Sequence, residues 1–204
     1  MHGNRKFTDA ISVAMDFAVS NTPILSGKTL VAIDCSGSMS KVIDKAAIFG
    51  ATLVKANENA NIILYDTNVK ELTISTRSPV IDISQHIKRE AMGGGTETSL
   101  VFRYAQQKAK NYDRIIIISD NESWNEYSVQ AIYNEYKKVT DTDPFVYAID
   151  MEGYGTKDIT GGRVFHLCGW SNRLLDFIIA VEKGDTFISY IKNYESKNTI
   201  VDDE

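Results

Sequence analysis

The sequence predicts an α/β fold: a doubly wound, mostly parallel central sheet with one antiparallel edge strand and helices on both faces. Two observations support this class. Short apolar segments of strand length alternate along the chain with segments whose apolar residues recur at helical spacing, which is typical of a parallel sheet covered on both sides. The most apolar run, residues 115–118, is a run of isoleucine and indicates a central strand buried on both faces.

Each element follows from its local pattern. The predicted strands cover residues 29–33, 61–66, 69–74, 115–118, 145–149 and 163–168. The predicted helices cover residues 7–20, 42–54, 82–91, 99–110, 127–139, 174–181 and 187–194. Thr67-Asn68 joins the second strand to the third, which favours an antiparallel hairpin at the edge of the sheet.

We expect three parts along the chain. Residues 1–22 form a helix that leads into the domain, residues 23–194 form the domain, and residues 195–204 form an acidic, flexible tail. The opening helix is either part of the domain's own packing or the remnant of an upstream domain.

Size and composition restrict the class of protein. A chain of 204 residues with 43% hydrophobic content is sufficient for one globular domain with a core. The net charge of −5 argues against a broad basic surface that binds nucleic acid unaided. No apolar stretch is long enough to cross a membrane, and no signal peptide is evident. Cys35 and Cys168 are therefore predicted to be reduced core thiols of a cytoplasmic protein rather than a disulfide.

The first candidate site follows the first predicted strand, where the sequence reads Asp34-Cys35-Ser36-Gly37-Ser38. In open α/β sheets, ligands bind in the crevice beyond the carboxyl ends of the strands. Asp34, Ser36 and Ser38 would present three oxygens to that crevice, and oxygen ligands suit a hard divalent cation. Alternatively, Asp34 caps the following helix.

Two further loops carry small oxygen-bearing residues. The glycine turn 93–95 leads to Thr96, and Asp120 with Glu122 follows the isoleucine strand. Asp34 and Asp120 can be neighbours in a doubly wound sheet, where their charges would repel each other unless a cation lay between them. The turn, with Gly95 at its end, either is merely flexible or allows a close backbone approach that brings Thr96 towards the ion. We expect Glu122 to lie beside the site or at the surface rather than to be a ligand.

Other kinds of site are not indicated. His2, His86 and His166 are scattered and have no partner at zinc-binding spacing. The aromatic residues interleave with apolar positions rather than with Lys and Arg, which is typical of a core and not of a surface that stacks bases.

The motif Asp34-x-Ser36-x-Ser38, followed by Thr96 after glycines and by Asp120 at a strand end, resembles the metal-ion-dependent adhesion site of von Willebrand factor type A (vWA) domains. The resemblance implies a Rossmann-like vWA fold and an Mg²⁺ ion, with Mn²⁺ or Ca²⁺ as alternatives. It further implies that the three hydroxyls ligate the ion directly and that one or both aspartates act through water. One coordination position would stay open for an acidic group from a partner.

Three segments make the resemblance to vWA domains more specific: residues 21–30, Gly94 to Glu97, and Ser119 to Glu122. Together they resemble the C-terminal A domain of TROVE proteins, the Ro autoantigen family. In that family the A domain follows a ring of helical repeats that binds small noncoding Y RNA and the ends of misfolded RNA. The ring is absent from this chain, so the resemblance implies RNA binding for a parent ribonucleoprotein. The partner of this chain would be a protein or ribonucleoprotein that supplies a carboxylate, and no membrane is involved.

The leading hypothesis is a non-enzymatic, cation-dependent interaction module with no catalytic residue. One alternative is a magnesium-dependent phosphohydrolase with Asp34 as nucleophile. Such enzymes generally carry a general acid two residues further on, where this chain has Ser36, and no phosphate-binding glycine motif or Ser-His-Asp order is present. Another alternative is a fragment of an adhesion-type vWA protein, against which the missing signal peptide argues.

Overall fold

The fold was analysed in a computed structural model. It describes residues 2–20, 24–57, 59–108, 111–122, 128–153, 157–169, 171, 173–184 and 189; in the first helix, side chains are described from residue 10 onwards. The chain divides into two compact units, residues 1–170 and residues 171–204.

The described parts of the chain contain six strands and six α-helices. The strands are β1 (Thr29–Asp34), β2 (Ala60–Tyr65), β3 (Val69–Leu72), β4 (Arg114–Ser119), β5 (Phe145–Asp150) and β6 (Val164–Cys168). The helices are α1 (His2–Ser20), α2 (Ile43–Lys55), α3 (Val80–Glu90), α4 (Ser99–Gln107), α5 (Val129–Thr140) and α6 (Arg173–Glu182), with a 3-10 helix at Ser38–Lys41. The second unit contains α6, and the first contains all the other elements.

The strands form one sheet in the order β3-β2-β1-β4-β5-β6. All neighbouring pairs are parallel except β2 with β3, which are antiparallel and lie at one edge. The chain passes from β1 to β2 on one side and later to β4 on the other, so the winding reverses between β1 and β4. The predicted sheet, its hairpin and its central isoleucine strand are thereby confirmed.

Apolar side chains fill both faces of the sheet. On one face, Leu30 and Ala32 of β1 belong to a buried cluster with residues of α4 and α5, among them Phe102 and Tyr136. On the other face, α2 packs against Ile33 so closely that a β-carbon at Gly50 would lie 2.4 Å from the Ile33 Cδ1 atom. Every residue of β1 and β4 is buried. Burial of both faces thus explains why the interior of β1, Leu30 to Ile33, is apolar on both sides of the sheet.

Polar contacts near its C-terminal end join the opening helix α1 to other helices of the first unit. The Asp16 carboxylate accepts a hydrogen bond from the Val80 backbone N–H at 3.0 Å, at the start of α3. It also pairs with the Lys55 ammonium at 2.6 Å. One oxygen of Asp16 therefore links α1 to the ends of two other helices.

Most predicted boundaries agree with the structure to within a few residues. The helix predicted at residues 7–20 begins earlier, at His2, and the third strand ends earlier, at Leu72. The helix predicted at residues 187–194 and the tail at residues 195–204 lie outside the described residues, apart from residue 189. Among the helices that the structure describes, none combines the length and the apolar composition needed to span a bilayer.

One prediction about the core is wrong. Cys35 is a buried free thiol as expected, but Cys168 is free and exposed. Cys168 ends β6, which is an edge strand whose other residues are only partly buried. An apolar run therefore does not imply full burial when its strand has a neighbour on one side alone.

Gly27, just before β1, has a left-handed backbone with φ of +85°, and a β-carbon there would lie 2.6 Å from Asp113 Oδ2. That oxygen accepts the Lys28 N–H at 2.7 Å. We expect Gly27→Ala to lower the free energy of unfolding by about 1–3 kcal/mol, because the substitution forces an L residue into strained backbone. Denaturant unfolding measures the change.

Gly162→Ala is the matched control, since no heavy atom lies within 4 Å of its added β-carbon. Equal unfolding free energies for the two variants would contradict the prediction.

Candidate metal centre

Asp34 is the last residue of β1 and is fully buried. Its Oδ1 atom accepts the Ser36 backbone N–H at 2.8 Å, and its Oδ2 atom accepts the Ser119 hydroxyl at 2.7 Å. It does not cap α2, because that helix begins at Ile43 and Val42 occupies the position before it. The carboxylate is instead held at the point where the sheet reverses its winding, which is the usual ligand crevice of such sheets.

Ser36 and Ser38 lie directly beyond Asp34. Ser36 is buried and Ser38 is exposed, and their hydroxyl oxygens are 3.2 Å apart. Ser38 begins the 3-10 helix, whose tight turn brings its side chain back towards Ser36. The motif therefore offers two converging hydroxyl oxygens beside a buried carboxylate.

Asp120 follows the last residue of β4, on the strand next to β1, and is 1% exposed. Its Oδ1 atom accepts the Glu122 backbone N–H at 3.1 Å. Between them Asn121 has φ of 58°, a left-handed conformation that Asn tolerates, and its N–H donates to the Ser119 hydroxyl at 2.9 Å. The Glu122 side chain is exposed at the rim of this turn.

The charges of the two aspartates interact. Burial raises the pKa of Asp34 from 3.8 to about 6; hydrogen bonds from Ser36 and Ser119 oppose this rise, and the charge of Asp120 adds to it. Burial also raises the pKa of the Cys35 thiol, with further contributions from the charges of Asp66 and Asp34. The crevice thus concentrates negative charge where solvent is excluded.

The glycine turn approaches the Asp34 loop through backbone hydrogen bonds. The Gly37 N–H donates to the Gly94 carbonyl at 2.8 Å, and the Gly93 N–H donates to the Cys35 carbonyl at 2.9 Å. This is the close backbone approach predicted for the turn. Gly95 is exposed beyond these contacts.

Thr96 follows the turn and is buried, with 4% exposure. Within the described parts of the chain, direct hydrogen bonds connect Asp34 with Ser36, and Ser36 with Ser38. Thr96 is connected to these residues through the backbone of its loop, and Asp120 through the charge interaction with Asp34.

Two polar residues of this region were not predicted from the sequence. Ser119 holds Asp34, as described above. Asp66, which follows β2, accepts the backbone N–H groups of Gly94 at 2.9 Å and Asn68 at 2.7 Å. The signal that could have found both is the one that identified Asp34, a polar residue at the carboxyl end of a parallel strand.

The available donors are the oxygens of carboxylates and hydroxyls. In the part of the chain that the structure describes, no group of three or more His, Cys, Asp or Glu side chains is placed to hold a metal ion. A cation here would therefore need the serine and threonine hydroxyls together with Asp34 and Asp120. Such a donor set fits a hard divalent ion, which would also offset the repulsion between the two buried carboxylates.

The raised pKa of Asp34 predicts a pH dependence of stability in the metal-free protein. Between about pH 4 and pH 6 the unfolded chain releases this proton first, so the unfolding free energy falls as pH rises, by up to about 3 kcal/mol. Asp34→Asn removes the titrating group and can keep both hydrogen bonds. We expect its advantage over the unsubstituted protein to grow across this range in chemical denaturation.

Asp44→Asn is the control for this measurement, because the Asp44 side chain is 67% exposed. Curves for Asp34→Asn and the unsubstituted protein that stay parallel from pH 4 to pH 6 would contradict the prediction.

Comparisons with known proteins place this chain in a family. The sequence matches the model of the Ro60 vWA domain over residues 28–180. The RNA-binding protein RO60 of Caenorhabditis elegans is 22% identical over 181 residues, which cover 83% of this chain and 28% of that protein. The chain therefore spans less than a third of the length of that relative.

A solved structure shows the same fold. The crystal structure of the Deinococcus radiodurans RO (RSR) protein matches with a TM-score of 0.73 and 18% identity, over 87% of this chain and 38% of that one. The predicted vWA-type α/β fold and the resemblance to Ro proteins are thereby confirmed. Because the family model matches well over half of its residues, this chain belongs to the Ro60 vWA domain family.

Proposed function

We propose that this chain is a divalent-cation-dependent interaction domain of a Ro-like RNA-binding protein. The observation that carries the proposal is the pair of buried carboxylates, Asp34 and Asp120, at the ends of the two central strands, with the hydroxyls of Ser36 and Ser38 beside them. Buried charges of like sign are unfavourable without a cation, and these oxygens suit Mg²⁺, with Mn²⁺ or Ca²⁺ as alternatives.

In this proposal Ser36, Ser38 and Thr96 hold the ion, while Asp34 and Asp120 balance its charge. The bound ion would supply an electrophilic centre for an acidic group of a partner. The chain's own residues orient that centre: Ser119 and the Ser36 N–H fix the Asp34 carboxylate, and the Glu122 N–H fixes that of Asp120. Neutral hydroxyl ligands would leave the ion with residual positive charge.

The expected partner group is a carboxylate from a protein or ribonucleoprotein. Helix α4 begins at Ser99, three residues after Thr96, so its N-terminal end follows the site closely along the chain. The partial positive charge of a helix N-terminus favours an anion nearby. We propose a non-enzymatic role, because Ser36 stands where a phosphohydrolase that used Asp34 would need a general acid.

RNA binding, including that of small noncoding Y RNA, is proposed for the parent protein and not for this chain alone. The C. elegans relative is named as an RNA-binding protein, and this chain covers 28% of it. The acidic net charge of −5 gives this domain no general affinity for phosphates. We propose a cytoplasmic location, which the two free thiols support.

A metal titration tests the proposed ligands. We expect Mg²⁺ or Mn²⁺ to bind the unsubstituted protein in isothermal titration calorimetry, and Ser38→Ala or Thr96→Val to weaken binding at least about tenfold. Replacing a residue that only supports a metal ligand typically lowers the metal affinity about 10–100-fold. Replacing a ligand itself should therefore lower the metal affinity at least as much.

Ser40→Ala is the matched control, since Ser40 lies in the same 3-10 helix as Ser38 and is exposed. If Ser38→Ala and Thr96→Val bind the ion as tightly as Ser40→Ala does, the ligand assignment is wrong. Turnover of a phosphate ester that is lost in Asp34→Asn would instead favour the enzymatic alternative.

The RNA proposal makes a separate prediction. We expect this chain alone to bind a Y RNA no more tightly than the non-specific range of about 1–100 μM at physiological salt, because its net charge is −5. Electrophoretic mobility shift measures the affinity. Nanomolar binding by this chain would move RNA recognition into the vWA domain itself.

A further inference from the structure

We propose that Asp66 is a positioning residue that holds the Thr96 loop in place for the ion. This role rests on the metal-binding function proposed above. Asp66 is 3% exposed and directly follows β2, on the strand next to β1. It lies outside the vWA motif residues Asp34, Ser36 and Ser38.

Asp66 contacts the chain on both sides of Thr96. Its side-chain Oδ2 atom accepts the Gly94 N–H at 2.9 Å, two residues before Thr96. Its backbone carbonyl accepts the Glu97 N–H at 2.9 Å, one residue after Thr96. A single residue thereby fixes the backbone that carries the proposed hydroxyl ligand.

The Asp66 carboxylate is itself held in position. Its Oδ1 atom accepts the Asn68 N–H at 2.7 Å, and the Asp66 N–H donates to the Asn68 carbonyl at 3.0 Å. These bonds close the tight turn of the β2–β3 hairpin. The hairpin at the sheet edge therefore provides a rigid support for the side chain that reaches Gly94.

Gly94 lies between two loops of the site. Its N–H is bound by Asp66, and its carbonyl accepts the Gly37 N–H from the Asp34 loop at 2.8 Å. A β-carbon at Gly94 would lie 2.6 Å from Asp66 Oδ2 and 3.2 Å from Thr67 Oγ1. The hydrogen bond between the Gly94 N–H and the Asp66 carboxylate therefore requires glycine at residue 94 and a short side chain with an acceptor oxygen at residue 66.

Ordering a loop costs conformational entropy, which lowers ligand affinity when the ligand must impose that order. With Asp66 in place, folding would already have ordered Thr96. Without the Asp66 carboxylate, the ion would have to order the loop on binding. We therefore expect substitution to weaken ion binding without a comparable loss of global stability.

The test uses graded variants. We expect Mg²⁺ affinity in titration calorimetry to fall about tenfold in Asp66→Ala and less in Asp66→Asn, because an amide keeps one acceptor oxygen of the two. Gly94→Ala should also weaken binding, although it leaves the charge of Asp66 intact. Weaker binding in Gly94→Ala would therefore reflect lost positioning rather than lost electrostatic attraction. The same variant tests the proposal if Asp66→Ala fails to fold.

Asp150→Asn is the matched control. Asp150 is also buried at the end of a parallel strand, and its Oδ1 atom accepts two backbone N–H groups of its own loop, those of Glu152 and Gly153. We expect this variant to keep the unsubstituted Mg²⁺ affinity. Affinities within twofold of the unsubstituted protein for Asp66→Ala and Gly94→Ala would overturn the proposal.

Hydrogen exchange in the metal-free protein gives an independent readout. The Gly94 amide should exchange at least about tenfold faster in Asp66→Ala, which removes the acceptor oxygen, while the midpoint of global unfolding stays close to that of Asp150→Asn. If the unsubstituted protein binds no Mg²⁺, the proposed function fails, and Gly94 exchange still decides whether Asp66 holds the loop. Unchanged exchange at Gly94 would overturn the positioning role in either case.

Discussion

The parallel pairing of β1 with β4 is the constraint on which the crevice depends. In this register Ile33 lies beside Ile118, so the next residues, Asp34 and Ser119, meet where the two strands end. The hydrogen bond from the Ser119 hydroxyl to Asp34 follows directly from that alignment. Because side chains alternate between the two faces of a sheet, a shift of one residue would separate the pair and turn the isoleucines of β4 to the opposite faces. The apolar core therefore sets the position of the polar site.

The loops beyond the strands depend on that frame in turn. Backbone hydrogen bonds connect the Asp34 loop with the glycine turn, and Asp66 connects the glycine turn with the hairpin. Three segments that are far apart in sequence thus meet over one end of the sheet.

The sequence was informative wherever a local pattern determines the structure. Alternating strand and helix patterns predicted the sheet, and polar residues at strand ends predicted the position of Asp34 and Asp120. Ser119 and Asp66 also lie at strand ends, but the contacts that give them their roles depend on which strands are neighbours and on how loops meet, which no local pattern specifies. Cys168 was placed in the core because its strand is apolar, whereas burial at a sheet edge depends on what covers that strand. The fold does not specify which ion binds at the site, so the Mg²⁺ ion stays a prediction.

The contacts between the glycine turn and the Asp34 loop join main-chain atoms at both ends. Although these contacts require glycine at Gly94, they involve no side chain of the exposed residues around them. Met92, beside the turn, is 40% exposed, and Glu122 is exposed at the rim near Asp120. Substitutions at these exposed positions would therefore change the outer surface of the crevice without breaking the main-chain hydrogen bonds that join its loops.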